Sequence, residues 1–275
     1  LISNHFTILA MGIALFLLGM FFMQEGFKRF SGSILEKILH FSTHTLKRAI
    51  FTGFITTAFM QSSSLISLIA ISFLSAELLG LREAIGIIIG SNVGTTTTAW
   101  IVSTFGIKLN IASFAMPLVI FGVIFNFLKE TNINAAGKIL LGLGLLFLGI
   151  DYMKEGFEAA KEALLISTIA IHGIWGFLLY LFSGVAITVI LQSSSATLAI
   201  IITALASGQI NYESALILAI GANVGTTITA ILGAATSNSN GKRLALAHLI
   251  FNLQTAIIAL LLLDQLTLLV DIISQ

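Results

Sequence analysis

The sequence contains no cysteine, a single proline and few charges, since Asp, Glu, Lys and Arg make up 9% of its 275 residues. Without cysteine the chain forms neither disulfide bonds nor thiol-based sites. Soluble domains carry roughly 25% charged residues, so this composition is not that of a soluble domain. The net charge of +1 excludes the basic surface with which proteins bind nucleic acids.

Apolar residues dominate instead: they make up 57% of the chain, and the mean hydropathy is +1.06. Several long segments without charged residues reach the roughly 20 residues that cross a bilayer. The composition therefore predicts an all-α, multi-pass protein of the cell membrane. No signal-peptide cleavage pattern is evident, and because residue 1 is Leu we expect the initiator Met, and flanking domains with it, to be missing. We expect membrane spans near 5–25, 84–105, 111–128, 138–155, 214–235 and 244–263.

Two polar motifs occur twice at a fixed spacing. Gln-Ser-Ser-Ser stands at Gln61–Ser64 and returns 131 positions later at Gln192–Ser195. Gly-Ser-Asn-Val-Gly-Thr-Thr at Gly90–Thr96 returns at the same offset as Gly-Ala-Asn-Val-Gly-Thr-Thr at Gly221–Thr227. Polar and glycine-rich runs are costly in hydrocarbon, so a duplicated pair of them indicates a duplicated functional unit rather than helix packing.

The segments around the tetrapeptides are long enough to span the bilayer, but each carries four consecutive polar residues at its centre. Two short apolar arms around a polar tip are typical of a re-entrant hairpin, which enters and leaves on one side. Each half then crosses the membrane three times, so the second half is inverted. We predict a first inverted repeat at 1–130, with a hairpin at about 49–77 and a broken helix at about 84–105, and a second at 131–275, with a hairpin at about 180–207 and a broken helix at about 214–235.

The basic residues agree with this topology. With hairpins, one side of the membrane holds 10 of the 13 Lys and Arg residues, whereas spanning segments would give a split of nine to four. Because basic loops face the cytoplasm, the N-terminus is predicted to lie outside. The segment 28–48 is predicted to be an amphipathic helix in the membrane interface, with 158–178 as its less basic counterpart. The ten basic residues lie in the loops 25–48, 77–83, 129–138 and 236–243.

The residues that are missing from the motifs exclude several chemistries. The four motif-bearing segments contain no Lys, Arg, Asp, Glu or His, so their serines lack the base that a catalytic nucleophile needs. We therefore do not expect an enzyme. His248 is the only histidine deep in a predicted span, and we interpret it as a hydrogen-bonded packing residue. Asn126 and Asn252 are predicted to bond across helices.

Neutral oxygens suit two kinds of ligand. Hydroxyl, carboxamide and backbone carbonyl oxygens suit a hard cation such as Na⁺. Serine hydroxyls beside a helix N-terminus suit an oxyanion, because free N–H groups and the helix dipole point towards it. A site without cationic side chains must offset a multiply charged anion by other means, and cations bound beside it would do so.

At these motifs the chain resembles the type II sodium-dependent phosphate cotransporters and their bacterial relatives. That family carries a Gln-Ser-Ser-Ser in each half of an inverted repeat, followed at about this spacing by Gly-Ala-Asn-Ile/Val-Gly-Thr. The segment 247–252 also looks like the family's His-Phe-Phe-Phe-Asn stretch. The resemblance covers essentially the whole chain, and it implies Na⁺-coupled movement of inorganic phosphate by alternating access.

The resemblance also implies roles for individual residues. The tetrapeptide serines would hold phosphate, and neighbouring carboxamides and hydroxyls would hold Na⁺. The implied phosphate ligands are Ser62, Ser63, Ser64, Ser193, Ser194 and Ser195, and the implied Na⁺ ligands are Gln61, Asn92, Thr95, Thr96, Gln192, Asn223, Thr226 and Thr227.

Two departures from the family qualify this reading. The family's first half often carries an acidic residue downstream of its Gly-Thr motif, linked to an additional Na⁺. Segment 97–107 has none, which favours two Na⁺ co-transported per divalent phosphate. Many bacterial members continue into a PhoU-like cytoplasmic domain, which we expect to be absent here or removed, since the chain stops at Gln275.

Other functions remain open at this point. The same scaffold could export phosphate or carry another small anion. From a different class, the chain could be a channel, or a non-transporting membrane partner of a phosphate-sensing system. A homodimer is compatible with a transporter that moves one repeat against a scaffold.

Overall fold

The computed structural model describes residues 2–41, 45–104, 112–164 and 173–274. In these ranges the chain is helical and forms no strand. The helices are α1 (Ile2–Phe41), α2 (Leu46–Met60), α3 (Ser63–Ser75), α4 (Leu81–Ile101), α5 (Ala112–Asn126), α6 (Thr131–Leu164), α7 (Gly173–Leu191), α8 (Ser194–Ala206), α9 (Tyr212–Gly225), α10 (Thr227–Ala234), α11 (Ser239–Leu261) and α12 (Leu263–Ser274).

Six segments in this part of the chain are long and apolar enough to cross a membrane, which confirms the prediction of an all-helical, multi-pass membrane protein. Five coincide with predicted spans. The sixth is α7, with 19 residues, whereas the predicted span 111–128 corresponds to α5, which has 15. The six segments are Phe6–Arg29, Leu81–Thr104, Thr131–Ala159, Gly173–Leu191, Tyr212–Ala234 and Ser239–Leu261.

Two helices are longer than predicted. The first was expected to end near residue 25, with a separate amphipathic helix over 28–48, but α1 is one continuous helix of 40 residues. Likewise α6 extends beyond both ends of the predicted span 138–155. It includes the start of the predicted interfacial segment 158–178, of which residues 165–172 lie outside the described ranges. Charged residues mark where a helix leaves the hydrocarbon, but they do not end it, since Lys, Arg and Glu are good helix formers.

The predicted break in the first Gly-Asn-Gly-Thr-Thr helix is also wrong. Helix α4 is continuous through Gly90–Thr96 and turns π-helical only at residues 102–104. In the second half a one-residue turn at Thr226 separates α9 from α10, but Thr226 keeps a right-handed helical conformation and its N–H still donates to the Ala222 carbonyl at 3.2 Å. Glycine in a helix costs about 1 kcal/mol relative to alanine, which close packing can offset.

These glycines bring two helices into backbone contact. A Cβ atom on Gly90 would lie 1.9 Å from the carbonyl oxygen of Ile50 on α2, and one on Gly53 would lie 2.1 Å from that of Ile87 on α4. The second half repeats both contacts at the offset of 131, between α7 and α9. There a Cβ on Gly221 or Gly184 would lie 2.1 Å from the carbonyl oxygen of Leu181 or Leu218, respectively.

Helices α1 and α6, the first helices of the two predicted repeats, pack against each other in opposite directions. A Cβ on Gly12 would lie 2.9 Å from the carbonyl oxygen of Gly149, and a Cβ on Gly19 would lie 2.6 Å from that of Gly142. Since residue numbers rise along α1 as they fall along α6, the two helices are antiparallel. Helix α5 packs on the same α6.

The remaining helices form a second group around the tetrapeptides. A buried core joins α2, α3, α4, α10 and α11, with Ala49, Ile66, Ile87 and Leu244 fully shielded. Helix α8 lies between this group and the α1–α6 pair, where Ala196 and Ala199 pack with residues such as Phe16. The starts of α3 and α8 are thereby fixed inside the protein.

We expect Gly90→Ala to prevent α2 and α4 from packing, because its new Cβ would collide with fixed backbone rather than with a movable side chain. Overpacking typically costs 1–3 kcal/mol, and sometimes more. Gly80→Ala is the matched control, since a Cβ there meets only the flexible end of Glu83. Thermal unfolding of the purified variants in detergent measures the difference, and equal melting temperatures for the two variants would contradict this packing.

Candidate functional site

Each tetrapeptide interrupts a pair of helices in the same way. Helix α2 ends at Gln61, which is left-handed with φ 51°, and α3 begins after Ser62, whose hydroxyl accepts from the N–H of Leu65 at 3.3 Å. A non-glycine residue in the left-handed region is uncommon and costs free energy, so such residues concentrate at functional sites.

The second tetrapeptide reproduces this geometry. Gln192 has φ 54°, and Ser193 caps α8 by accepting from the N–H of Ala196 at 3.2 Å. Both serine runs therefore lie at the N-terminus of a 13-residue helix. The free N–H groups and the positive end of the helix dipole are available there to an anion.

One cavity of about 210 Å³ joins the two tetrapeptides. All eight of their residues line it, so the structure brings together the six predicted phosphate ligands and both glutamines. Helix α1 contributes Leu17, Met20, Phe21 and Gln24, and Leu191 completes the wall. No charged side chain of the described residues lines the cavity. A neutral, hydroxyl-rich chamber between two helix N-termini has the chemistry to hold an oxyanion.

Two tetrapeptide serines also contact a threonine of the opposite half. The Thr98 hydroxyl donates to Gln61 Oε1 at 2.7 Å and lies 3.2 Å from Ser195 Oγ. At the equivalent position, Thr229 Oγ1 lies 3.3 Å from Ser64 Oγ. Thr229 lies 131 positions after Thr98, and Ser195 lies 131 positions after Ser64, so the two contacts occupy matching positions of the two halves. Each joins a serine of one half to a threonine of the other.

The sequence reasoning missed these threonines, although a signal was present. The predicted ligands stopped at the second threonine of each motif, whereas Thr98 and Thr229 each follow that threonine by two residues and stand 131 positions apart. Thr97, which accepts from Gln61 Nε2 at 2.9 Å, and Gln24, whose Nε2 donates to the Gln61 carbonyl at 3.3 Å, were missed as well.

The two glutamines differ in their surroundings. Gln61 is 5% exposed and bonds to Thr97 and Thr98. Gln192 is exposed, and its side chain donates to the Val189 carbonyl of its own helix at 3.1 Å. The site is therefore closed around the first tetrapeptide and open around the second.

Four of the predicted Na⁺ ligands line a different cavity, of about 330 Å³, between α4, α8, α9 and α11. These are Asn92, Thr95, Thr96 and Asn223, and Ser194 lines both cavities. The predicted cation ligands thus divide between two chambers that share one serine.

Thr226 and Thr227 line neither cavity. Both are buried, and their hydroxyls donate to the helix carbonyls of Ala222 at 3.1 Å and Val224 at 2.8 Å. Thr95 and Thr96 bond back to α4 in the same way. A hydroxyl that donates to a carbonyl keeps its own lone pairs for a cation.

Helix α11 contributes two buried polar residues. Asn252 is fully buried and accepts from Asn92 Nδ2 at 2.8 Å and from Asn223 Nδ2 at 3.3 Å, which confirms that it bonds across helices. Asn126 on α5 is also bonded across helices, because Asn134 Nδ2 on α6 donates to its main-chain carbonyl and to its Oδ1 at 3.4 Å. His248 is buried as predicted, but neither of its ring nitrogens has a hydrogen-bond partner in the described part of the chain, and neither has Asn252 Nδ2.

Comparison with known proteins places this site within one family. The family model described as Na⁺/Pi-cotransporter matches residues 15–155 and 173–271, which include both tetrapeptides and both Gly-Asn-Gly-Thr-Thr motifs. No solved structure matches the chain significantly.

Curated relatives match over most of the chain. The Bacillus subtilis protein named "Uncharacterized protein YqeW" is 32% identical over 92% of this chain and 80% of its own length. The Escherichia coli K12 protein named "Putative inorganic phosphate export protein YjbB" is 32% identical over 90% of this chain, which spans 45% of that relative. A rat protein named "Sodium-dependent phosphate transport protein 2C" is 42% identical over 26% of this chain and 12% of its own length.

The unequal glutamines give a test of the site geometry. Gln61→Ala removes a buried carboxamide that bonds to both Thr97 and Thr98, and it leaves the buried Thr98 hydroxyl only its 3.2 Å contact with Ser195. The loss of hydrogen bonds in a buried place costs about 1–3 kcal/mol. Gln192→Ala removes one exposed bond and we expect it to cost little. Thermal unfolding in detergent would compare the pair directly. If Gln192→Ala proves as destabilising as Gln61→Ala, the closed and open ends of the site are wrongly assigned.

Proposed function

Because the chain belongs to the Na⁺/Pi-cotransporter family, we propose that it carries inorganic phosphate across a membrane and couples this movement to Na⁺. The observation that carries the proposal is the single cavity lined by all eight residues of Gln61–Ser64 and Gln192–Ser195. The family supports phosphate as the substrate, and the cavity supplies the donors that phosphate needs.

In the proposed site, two helix N-termini face one phosphate. Ser62 and Ser193 cap the helices, and the following serines, of which Ser63 and Ser194 are 6% and 7% exposed, present hydroxyls to the anion. A hydroxyl both donates and accepts, so this set can bind the oxygens of HPO₄²⁻ and also its proton. The proposed phosphate ligands are the six serines at 62–64 and 193–195.

The proposed Na⁺ ligands are the neutral oxygens around this site. Hard cations prefer oxygen ligands. Without a cationic side chain in the cavity, a divalent anion requires compensation, and two Na⁺ per phosphate would make the transported complex neutral. The proposed ligands are Gln61 and Gln192 at the first cavity, Asn92, Thr95, Thr96 and Asn223 at the second, and Thr226 and Thr227 at the turn between α9 and α10.

We further propose that residues 1–130 and 131–275 are inverted repeats whose tetrapeptide segments are re-entrant hairpins. The antiparallel packing of α1 and α6 supports this, because equivalent helices that run antiparallel are related by an axis perpendicular to them, which lies in the membrane plane when the helices cross it. The Thr98–Ser195 and Thr229–Ser64 contacts support the same axis, because a rotation that interchanges the two halves converts one contact into the other. Alternating access would then open the site first to one side and then to the other.

Direction is a separate question. The basic loops place the N-terminus outside in the proposed topology. The E. coli relative is named a putative phosphate export protein, which favours export as the second candidate function. Both directions use the same site, so the orientation of the Na⁺ gradient during transport distinguishes them.

The first experiment is ³²P-phosphate flux in proteoliposomes that contain the purified chain, under a Na⁺ gradient or an equal K⁺ gradient. We expect saturable phosphate movement with Na⁺, in the direction of the Na⁺ gradient. Flux that does not saturate would indicate a channel. Folded protein without phosphate flux under either gradient would contradict the proposed function, and inhibition by excess sulfate or dicarboxylate would redirect it to another anion.

Serine variants test the site assignment. Ser63→Ala and Ser194→Ala each remove a hydroxyl from the cavity, and a hydrogen bond to a charged ligand contributes about 1.5–3 kcal/mol. We therefore expect the phosphate concentration for half-maximal flux to rise about 10- to 100-fold. Ser72→Ala is the matched control, since Ser72 lies exposed on the same helix α3 and bonds back to Leu68. Wild-type flux in both site variants would place phosphate elsewhere.

A further inference from the structure

Asn252 occupies the point where the second motifs of the two halves meet. Its Oδ1 accepts from Asn92 Nδ2 on α4 at 2.8 Å and from Asn223 Nδ2 on α9 at 3.3 Å. The side chain is 0% exposed. One carbonyl oxygen on α11 therefore fixes two carboxamides that stand 131 positions apart in the sequence.

The direction of these two bonds determines what the carboxamides present elsewhere. A carboxamide has a carbonyl oxygen at one corner and an amino group at the other. With both Nδ2 atoms turned towards Asn252, the Oδ1 atoms of Asn92 and Asn223 are turned away from it. Free rotation of either side chain would exchange acceptor for donor.

Both carboxamides line the second cavity, and the other polar side chains there also carry neutral oxygens. Thr95, Thr96 and Ser194 contribute hydroxyls to this cavity of about 330 Å³, and the hydroxyls of Thr95 and Thr96 donate to carbonyls of α4. Thr255 adds one more hydroxyl, and apolar side chains such as Leu198 and Phe251 form most of the remaining wall. The polar groups of this chamber are uncharged oxygens, which are the ligands that a hard cation prefers. Ser194 connects this chamber to the cavity proposed for phosphate.

We infer that Asn252 is a positioning residue for a Na⁺ site in the second cavity, where it holds Asn92 and Asn223 with their carbonyl oxygens towards the cation. This inference rests on the proposed function, since it takes Na⁺ as the coupling ion. Asn252 itself acts through the two carboxamides. Asn92 and Asn223 belong to different halves. The site therefore forms only when α4, α9 and α11 are arranged so that Asn252 Oδ1 accepts from both carboxamides.

The chemistry explains why an asparagine suits this position. A carboxamide is an acceptor without charge, and a charged side chain at this depth would be more costly. A leucine of similar size would leave both Nδ2 atoms without their acceptor, and the carboxamides could then turn donors towards the cation. Partners that orient the ligands of a metal ion typically change its affinity by 10- to 100-fold when they are replaced.

The test measures Na⁺ binding without transport. The melting temperature of the purified full chain is followed in detergent as Na⁺ replaces choline at constant ionic strength, without phosphate. A ligand that binds the folded protein raises its melting temperature. We expect Na⁺ to stabilise the wild type, and Asn252→Leu to raise the Na⁺ concentration for half of this effect about 10- to 100-fold. Asn252→Asp keeps an acceptor oxygen in place and should keep the Na⁺ response.

The matched control is Asn126→Leu, the same substitution on α5, where the side-chain Oδ1 accepts from Asn134 Nδ2 at 3.4 Å and the residue lines neither cavity. It should keep the wild-type Na⁺ response. If Asn252→Leu does not fold, Asn252→Ala provides the same measurement. The inference is overturned if Asn252→Leu responds like the wild type, or if Asn252→Asp loses the response as Asn252→Leu does.

Phosphate flux measured in parallel separates this inference from the proposed function. Under Na⁺ titration, Asn252→Leu should shift the Na⁺ dependence of flux, whereas at saturating Na⁺ the phosphate dependence should stay near that of the wild type. A wild type that transports phosphate without any stabilisation by Na⁺ overturns the Na⁺ site alone. A wild type that Na⁺ stabilises but that moves no phosphate overturns the transport proposal and leaves the Na⁺ site in place.

Discussion

The constraint on which this structure depends is that backbone N–H and C=O groups inside a bilayer must find partners within the protein. Each tetrapeptide breaks a helix in the middle of an apolar segment, and this break frees backbone groups where water is scarce. Part of the need is met locally, because the N–H of Gln61 donates to Thr57 at 2.7 Å and the hydroxyl of Ser62 caps α3. The residues at both helix starts line the cavity, where a ligand can satisfy their remaining N–H groups.

Close helix packing makes such breaks tolerable. The glycines of α4 and α9 let α2 and α7 approach to backbone contact, which shields the tetrapeptides behind neighbouring helices rather than exposing them to lipid. The same glycines stand inside the motifs that supply Asn92 and Asn223. One motif therefore serves packing through its glycines and the candidate ion site through its carboxamides and hydroxyls.

The two halves share local geometry, but the structure uses them differently. Gln61 is buried between α2 and α4, while Gln192 is exposed. Helix α11, the last span of the second half, buries Asn252 against α4 and α9, whereas α5 packs on α6 and leaves Asn126 partly exposed. In the proposed mechanism such inequality is expected, because a transporter built from inverted repeats exposes its site to one side at a time. If the second tetrapeptide became buried and the first exposed, the site would open to the other side.

The sequence by itself determined the membrane class, the duplication and the eight tetrapeptide residues that line the first cavity. Composition fixes the class, since hydrocarbon excludes charge, and both tetrapeptides stand out because polar residues are costly in an apolar segment. Tertiary structure decided the rest. Whether the helix breaks at Gly90–Thr96 depends on how closely α2 packs against it. Whether α1 continues past its basic residues depends on its packing against other helices, above all α6. Asn92 and Thr98 share a helix but have different partners: Asn92 bonds to Asn252, whereas Thr98 bonds to Gln61 and contacts Ser195 of the other half. Contacts between residues about 100 or more positions apart depend on how helices pack, and helical periodicity and local motifs carry no information about that.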